Sequence, residues 1–372
     1  MIYLDYNATT PVSPEVLQEM LPYFSDKFGN AASTTHLPGL QAKSAVDIAR
    51  EKVAVQLNGE PQEIIFTSGA TEAINLAIKG IFQLYQGKGN HIITAKTEHK
   101  AVLDTCRFLE TKGARITWLE VNQHGQINLE QLEQAMTPET ILVAVMFANN
   151  ETGVVQNIAD IADIVHRHQS IFFCDATQAV GKIRVDVQRD GIDVLSLSAH
   201  KLYGPKGVGA LYVRRKNPRV QLEPLLHGGG HERGWRSGTL NVPGIVGLGK
   251  AMELITFDHR TTMLRDLLES GLTDYFGDDI SINGKESQRL PNTSNITFPF
   301  KAIDVIRHTQ TKLAVATGSA CTSAQNTPSH VLTAMGKSAA ETARSIRFSI
   351  GKYTTEEEIA ATILLLRECS KL

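Results

Sequence analysis

Ile64-Ile65-Phe66-Thr67-Ser68-Gly69-Ala70-Thr71 runs from three consecutive apolar residues through a polar turn with a glycine into a segment, Ala70 to Ile78, with the apolar spacing of a helix. A short run that is apolar throughout marks a strand buried on both faces, and a strand that hands over to a helix is half of a parallel crossover unit. The same change of period recurs along the chain. Ile92-Ile93-Thr94 reads as a second strand, with residues 100–112 as its helix. Ile141-Leu142-Val143-Ala144-Val145 is a third strand, followed by helical spacing at Ile158, Ile161, Ala162 and Val165 and by the strand Ile171-Phe172-Phe173-Cys174. Upstream, Ala42, Ala45, Val46, Ala49 and Val53 mark a helix that Asn58-Gly59 stops. The alternation predicts a large α/β domain with mostly parallel strands over residues 15–250. Beyond Pro243-Gly244 the strand signals thin out and a long helical stretch takes over, which predicts a smaller C-terminal domain over residues 251–372.

Length and composition bound what such a chain can be. At 372 residues it can bury a large core, and 42% hydrophobic with 20% charged residues is ordinary for a globular protein. A net charge of -2 leaves no electrostatic footprint for nucleic acid or an anionic membrane. No apolar run approaches the ~20 residues of a membrane span. The first residues carry neither the basic stretch nor the apolar core of a secretory signal. The expectation is a cytoplasmic protein that binds no membrane and no nucleic acid directly. The cysteines, at 106, 174, 321 and 369, are too scattered for a zinc pair or a disulfide framework, so no metal site is expected. Cys174 lies inside an apolar strand as a small buried hydrophobe. Cys321 differs, because Gly318-Ser319-Ala320 and Thr322-Ser323-Ala324 offer little to bury it.

Asp175 ends its strand at the carboxyl end, where open α/β sheets bind ligands, although an aspartate there also serves as a plain turn former. Downstream, Ser198-Ala199-His200-Lys201 puts a lysine directly after two residues with hydrogen-bond donors. A lysine amine to condense with the aldehyde of pyridoxal phosphate, and a carboxylate to keep its pyridinium nitrogen protonated, are the pair that this cofactor requires. Gly69-Ala70-Thr71 adds unpaired backbone N–H groups at a helix start, which suit a phosphate. Taken alone, that motif reads equally as an ordinary helix cap.

These pieces belong to a longer series. It begins at Tyr3-Leu4-Asp5-Tyr6-Asn7-Ala8-Thr9-Thr10-Pro11 and continues through Phe66-Thr67-Ser68-Gly69-Ala70-Thr71-Glu72, Lys96-Thr97-Glu98-His99-Lys100 and Asn149-Asn150-Glu151-Thr152-Gly153. It includes Phe172-Phe173-Cys174-Asp175-Ala176-Thr177-Gln178 and Ser198-Ala199-His200-Lys201-Leu202-Tyr203-Gly204-Pro205-Lys206-Gly207. Later come Gly228-Gly229-Gly230-His231-Glu232-Arg233-Gly234, Arg236-Ser237-Gly238-Thr239, Gly318-Ser319-Ala320-Cys321-Thr322-Ser323-Ala324 and Ser345-Ile346-Arg347-Phe348-Ser349. In this order, over nearly the whole chain, the series resembles the bacterial cysteine desulfurases of the NifS/IscS kind, in the aminotransferase class V family. One departure is visible: Ala316-Thr317 stand where that family often has paired serines.

The resemblance implies a fold-type I pyridoxal-phosphate enzyme, a homodimer, with residues 1–14 joining residues 251–372 in a small α+β domain. It implies phosphate contacts from Ala70, Thr71, Ser198 and His200, with Thr239 reaching across from a second subunit. It further implies Asn150 and Gln178 near the ring hydroxyl, His99 against the ring and in proton transfer, and Lys201 as the cofactor-bearing amine. The substrate implied is L-cysteine, its carboxylate held by Asn150 and Arg347, since a guanidinium grips a carboxylate bidentately. Arg347 as a plain surface ion-pair residue is the other reading. Arg233 and Arg236 read as structural. Cys321 is the implied nucleophile, taking the substrate sulfur as a persulfide for an acceptor protein in iron–sulfur assembly, tRNA thiolation or DNA phosphorothioation. Its composition is that of a loop, as a nucleophile that must reach in and swing out requires. From local sequence alone, Cys321 is also an ordinary exposed thiol. A related lyase or aminotransferase using the same cofactor would not require Cys321. A non-catalytic partner in a sulfur-relay complex would keep the fold without turnover, and the joint presence of Lys201, Asp175, His99 and Cys321 argues against it.

Overall fold

The computed structural model describes residues 1–317 and 328–370. Among them, seven strands form a central sheet in the spatial order Ile64–Thr67, Gly209–Val213, Val194–Ser198, Ile171–Asp175, Thr140–Ala144, His91–Ala95 and Arg115–Leu119. From Val194–Ser198 to Arg115–Leu119 every neighbouring pair is parallel. Gly209–Val213 runs antiparallel to both of its neighbours. The mostly parallel α/β architecture is therefore the one that the alternation of periods predicts.

Helices on both faces explain why the inner strands are apolar throughout. Side chains alternate between faces, so Phe172 and Cys174 join one apolar cluster while Ile171 and Phe173 join another. The first cluster is completed by Val46 and Val53 of the helix Leu37–Leu57, Ile161 of Ile158–Arg167, and Ile245 and Leu248 of Val242–Glu253. The second is completed by Ile74, Ile78 and Ile81 of the helix Ala70–Leu84 and Val102 of Lys100–Glu110. Asn58 takes a left-handed conformation, φ 57°, at the end of Leu37–Leu57, where the sequence signals a stop. Three strands of the sheet carry weaker signals. Arg115–Leu119 is a half-exposed edge, and Val194-Leu195-Ser196-Leu197-Ser198 intersperses serines that are nevertheless buried. Gly209 opens the third, where a Cβ would come 2.5 Å from the Leu197 carbonyl oxygen and 2.8 Å from the Gly69 Cα. Only glycine lets the strand and the Gly69 turn lie this close.

A third cluster packs Leu264, Leu268, Phe298, Phe348 and Leu366 around Leu4. Thr293–Thr297 lies there between Ser345–Ser349 and Ser281–Ile282, antiparallel to both. The N-terminal strand Ile2–Tyr3 pairs in parallel with Leu313–Ala314. The stretch past residue 250 is thus more than helical. Its central strand, Thr293-Ser294-Asn295-Ile296-Thr297, has one large apolar residue, yet every residue is buried. Several of its polar groups pair with neighbours, Asn283 Nδ2 donating to Asn295 Oδ1 at 2.7 Å, and Thr297 and Ser345 hydroxyls bonding at 2.8 Å. A pattern of apolar residues cannot reveal a strand held this way.

One buried ion pair fixes the edge of the large sheet. Arg50 donates to both oxygens of Glu232, at 2.7 and 2.6 Å, and to the Ile64 carbonyl at 2.7 Å. Glu232 also accepts the Phe66 N–H at 2.8 Å. The pair therefore ties the strand Ile64–Thr67 to the glycine-rich turn at residues 228–234. Glu232→Ala would leave the buried Arg50 guanidinium without its carboxylate and the Phe66 amide without a partner, and we expect it to cost about 3–5 kcal/mol in urea unfolding. The double variant Arg50→Met/Glu232→Met is expected to recover most of that loss.

Candidate active site

Parallel strands present their carboxyl ends on one edge of the sheet, and a cavity opens there. It is lined by residues 7–9 and 68–72 and by His99, Asn150, Asp175, Gln178, Ser198, His200, Lys201, Lys206 and Arg347. Ten of the positions singled out in the sequence, from Ala70 and Thr71 to Arg347, thus meet in one space. Thr239 does not line it; it is exposed at the end of the glycine-rich turn. Cys321 lies outside the described residues.

Each wall has a physical origin. Gly69 caps the helix Ala70–Leu84 with φ 155° and brings no side chain to bond the first amides of the helix. The amides at this end keep their partial positive charge for an anion. A carboxylate in the first turn, Glu72, would oppose that anion, but Arg236 Nε donates to it at 2.7 Å and the Ser68 N–H at 2.8 Å. Burial pushes the pKa of Glu72 up, and these bonds bring it net below the usual carboxylate range. Burial, with Lys201, Lys206 and Lys182 nearby, pushes the His200 pKa down to about 4, so the ring is neutral at pH 7.

Asp175 is held at one oxygen. Its Oδ1 accepts from the Thr177 N–H at 3.0 Å, the Thr177 hydroxyl, and the Ser196 hydroxyl at 3.0 Å. All three bonds fall on Oδ1, which leaves Oδ2 to meet a donor in the cavity. His99 caps the helix Lys100–Glu110, its Nδ1 accepting the Ala101 N–H at 3.1 Å. A nitrogen that accepts carries no proton, so the neutral ring has its proton on Nε2. Burial lowers the His99 pKa, Asp175 raises it and Lys201 lowers it, with a net fall. Beside it, Glu98 is buried, one oxygen accepting the Met146 N–H at 2.7 Å, and burial pushes its carboxyl well above the usual range. Glu98 does not line the cavity.

Lys201 Nζ donates to the carbonyls of Asn7 and Ala8, each at 2.7 Å. Arg347 is no surface ion-pair residue: it is 1% exposed. Its Nη2 donates to Asp5 at 2.6 Å and its Nη1 to the Asn150 carbonyl at 2.9 Å, while Nε has no partner among the described residues. A buried donor left unpaired costs free energy, which a carboxylate entering the cavity would remove. The Arg347 N–H donates to the Ala316 carbonyl at 2.7 Å, so the chain just before residue 318 is fixed at this arginine. Asp5, Asn7 and Lys182 bear on the site without having been assigned roles from sequence. Asp5 and Asn7 belong to the first quoted motif, and the legible signal for Lys182 is its place four residues after Gln178.

The donor set suits a phosphorylated pyridine aldehyde, with an uncapped helix start for the phosphate, one carboxylate oxygen for the ring nitrogen, and a lysine amine. Residues 2–362 match the family described as aminotransferase class V. The chain is 50% identical to the cysteine desulfurase IscS of Anaeromyxobacter dehalogenans (strain 2CP-C), over 99% of this chain and 92% of that one. A solved structure named as a NifS-like protein superposes with a TM-score of 0.92 at 38% identity, covering all of both chains. The structure of SspA in complex with cysteine superposes with a TM-score of 0.86 at 42% identity, over 95% of this chain and all of that one.

The capping bond made by His99 separates its structural from its chemical part. His99→Ala should lose about 0.5–2 kcal/mol in urea unfolding, as for other lost caps, and His99→Asn, which keeps an acceptor for Ala101, should recover most of it. Both variants lack the ring, so stability and turnover are expected to part company in His99→Asn.

Proposed function

Because the chain belongs to the class V aminotransferase family and is a pyridoxal-phosphate-dependent cysteine desulfurase, we propose that the cavity at the strand ends is where L-cysteine gives up its sulfur. The observation that carries this is the meeting, in one cavity, of the Asp175 carboxylate, the Lys201 amine and an uncapped helix start. The amides of Ala70 and Thr71, with Ser198 and His200, hold the cofactor phosphate. A homodimer completes that cradle with Thr239 of the partner subunit. Asp175 Oδ2 would be the oxygen available to the ring nitrogen, and Asn150 and Gln178 would serve the ring hydroxyl.

When bound, pyridoxal phosphate supplies an electron sink for the charge that develops as cysteine loses its Cα proton. Lys201 takes that proton, and the Asn7 and Ala8 carbonyls steady the amine while it carries it. Arg347, aided by Asn150, receives the substrate carboxylate; its Nε–H has no partner among the described residues. His99, with its proton on Nε2, would serve in proton transfer from the cavity wall. Cys321 attacks the substrate sulfur as a thiolate. The new S–S bond forms as the Cβ–sulfur bond breaks, the electron pair stays on Cβ and is protonated there to give the methyl group, and Lys201 returns the Cα proton to complete alanine. The sulfur remains on Cys321 as a persulfide for an acceptor protein, in iron–sulfur assembly, tRNA thiolation or DNA phosphorothioation.

Cys321→Ser replaces a strong nucleophile with a weak one and leaves the cofactor cradle intact. It should bind cofactor and cysteine yet release no alanine above background. Mass spectrometry of the wild type after cysteine treatment should find one added, reducible sulfur on Cys321 and none on Cys106, Cys174 or Cys369. Sulfur on another cysteine, or undiminished alanine release by Cys321→Ser, would overturn the assignment. Asp175→Asn should still take up cofactor, but with turnover reduced by about 10²–10³-fold, the size of losing one preorganised electrostatic group. Steady-state alanine formation measures it.

A further inference from the structure

Gln178 and Lys182 share a helical turn just after the strand Ile171–Asp175. The Val180 N–H donates to the Ala176 carbonyl at 3.0 Å, and those of Lys182 and Ile183 to the Ala179 carbonyl at 3.0 Å. A spacing of four residues sets both side chains on one face. Lys182 Nζ donates to Gln178 Oε1, and to Asn7 Oδ1 at 2.9 Å. With the oxygens so engaged, the two amide nitrogens point elsewhere. Asn7 Nδ2 donates to Thr293 Oγ1 at 2.9 Å, and Gln178 Nε2 to the Asn7 carbonyl at 3.0 Å. That carbonyl also accepts Lys201 Nζ.

A side-chain amide can present either its oxygen or its nitrogen, and the wrong face offers an acceptor where a donor is needed. Gln178 lines the main cavity and Lys182 does not. Lys182 instead lines a second cavity on the far side, shared with Tyr6, Tyr203 and Asn292, and Lys201 lines both. Lys182 is therefore part of the wall between them, one bond removed from the reacting space. Burial pushes its ammonium well below the ordinary lysine value, and the nearby Lys201 and Arg347 push the same way. An apolar side chain would avoid that cost while filling the same volume.

We propose that Lys182 is a positioning residue that locks the Gln178 amide, so that the cavity meets an N–H donor suited to an oxygen on the cofactor ring. This rests on the reading of the cavity as the cofactor site. Removing the lock leaves the bond to the Asn7 carbonyl to orient the amide alone, and an amide that turns over would place an acceptor oxygen against the ring oxygen.

The test uses the full-length protein, pyridoxal phosphate as the probe, and two readouts besides turnover: the dissociation constant of the cofactor from the apoprotein, and the pH midpoint of its visible band. Lys182→Met keeps the volume without the donor. It should weaken cofactor binding by about tenfold, the worth of one hydrogen bond of about 1.4 kcal/mol, and displace the midpoint. Lys182→Met made in a Gln178→Ala background should change neither quantity further, because the amide it acts through is gone. A Lys182→Met effect of equal size in that background would overturn the proposal, since the lysine would then act by its charge alone. An unchanged affinity and midpoint in Lys182→Met would overturn it as well. Should Lys182→Met fail to fold, Lys182→Gln, which can present either amide face, is expected to shift both quantities in the same direction. A wild type that takes up no cofactor overturns the reading of the cavity and this proposal together; a wild type that loads beside an unaltered variant overturns the positioning role alone.

Discussion

Asn7 holds the site together. Its carbonyl accepts Lys201 and Gln178, its side-chain oxygen accepts Lys182 and Asn292, and its amide nitrogen donates to Thr293 and the Asn150 carbonyl. Its own N–H donates to Ser349 at 2.9 Å. Lys182, Gln178 and Lys201 follow strands of the large sheet; Asn292, Thr293 and Ser349 belong to the smaller one or border it. Through one residue near the chain start, the Lys201 amine is registered against the sheet that carries Arg347. Because nearly every polar atom of Asn7 is committed and the residue is 1% exposed, a shift of either sheet would leave a buried polar group unpaired.

The same economy runs through the charged groups. The donors of Arg347, Lys182 and Lys201 are gathered within one neighbourhood, where burial makes an unpaired N–H costly. What keeps them is a set of oxygens aimed inward: Asp5 and the Asn150 carbonyl for Arg347, the Asn7 and Gln178 side chains for Lys182, and two backbone carbonyls for Lys201. Asp175 is treated in the opposite sense, with three donors on one oxygen fixing its direction. A site so organised before anything binds need not reorient its dipoles when charge develops, which is the larger part of electrostatic catalysis. Glu72 and Arg236 show the principle at the start of the helix Ala70–Leu84, where a carboxylate that would repel an anion is paired in place.

By itself the sequence determined four strands of the large sheet and ten of the residues that line the cavity. Ile64-Ile65-Phe66, Ile92-Ile93-Thr94, Ile141 to Val145 and Ile171 to Cys174 are legible because a strand covered on both faces must be apolar at every position. Asp175, Lys201, His99 and Gly69-Ala70-Thr71 are legible because they stand at strand ends and helix starts, where local signals are strong. The strands Thr293–Thr297 and Ser345–Ser349 are not, since their burial is earned by hydrogen bonds between residues far apart in the chain. Only the tertiary structure decided that Arg347 is buried with Nε unpaired among the described residues, that the Lys201 amine rests on the carbonyls of Asn7 and Ala8, and that Lys182 donates to the amide oxygen of Gln178. Each of these depends on the direction of a bond across a fold, and residue type along a chain carries no direction.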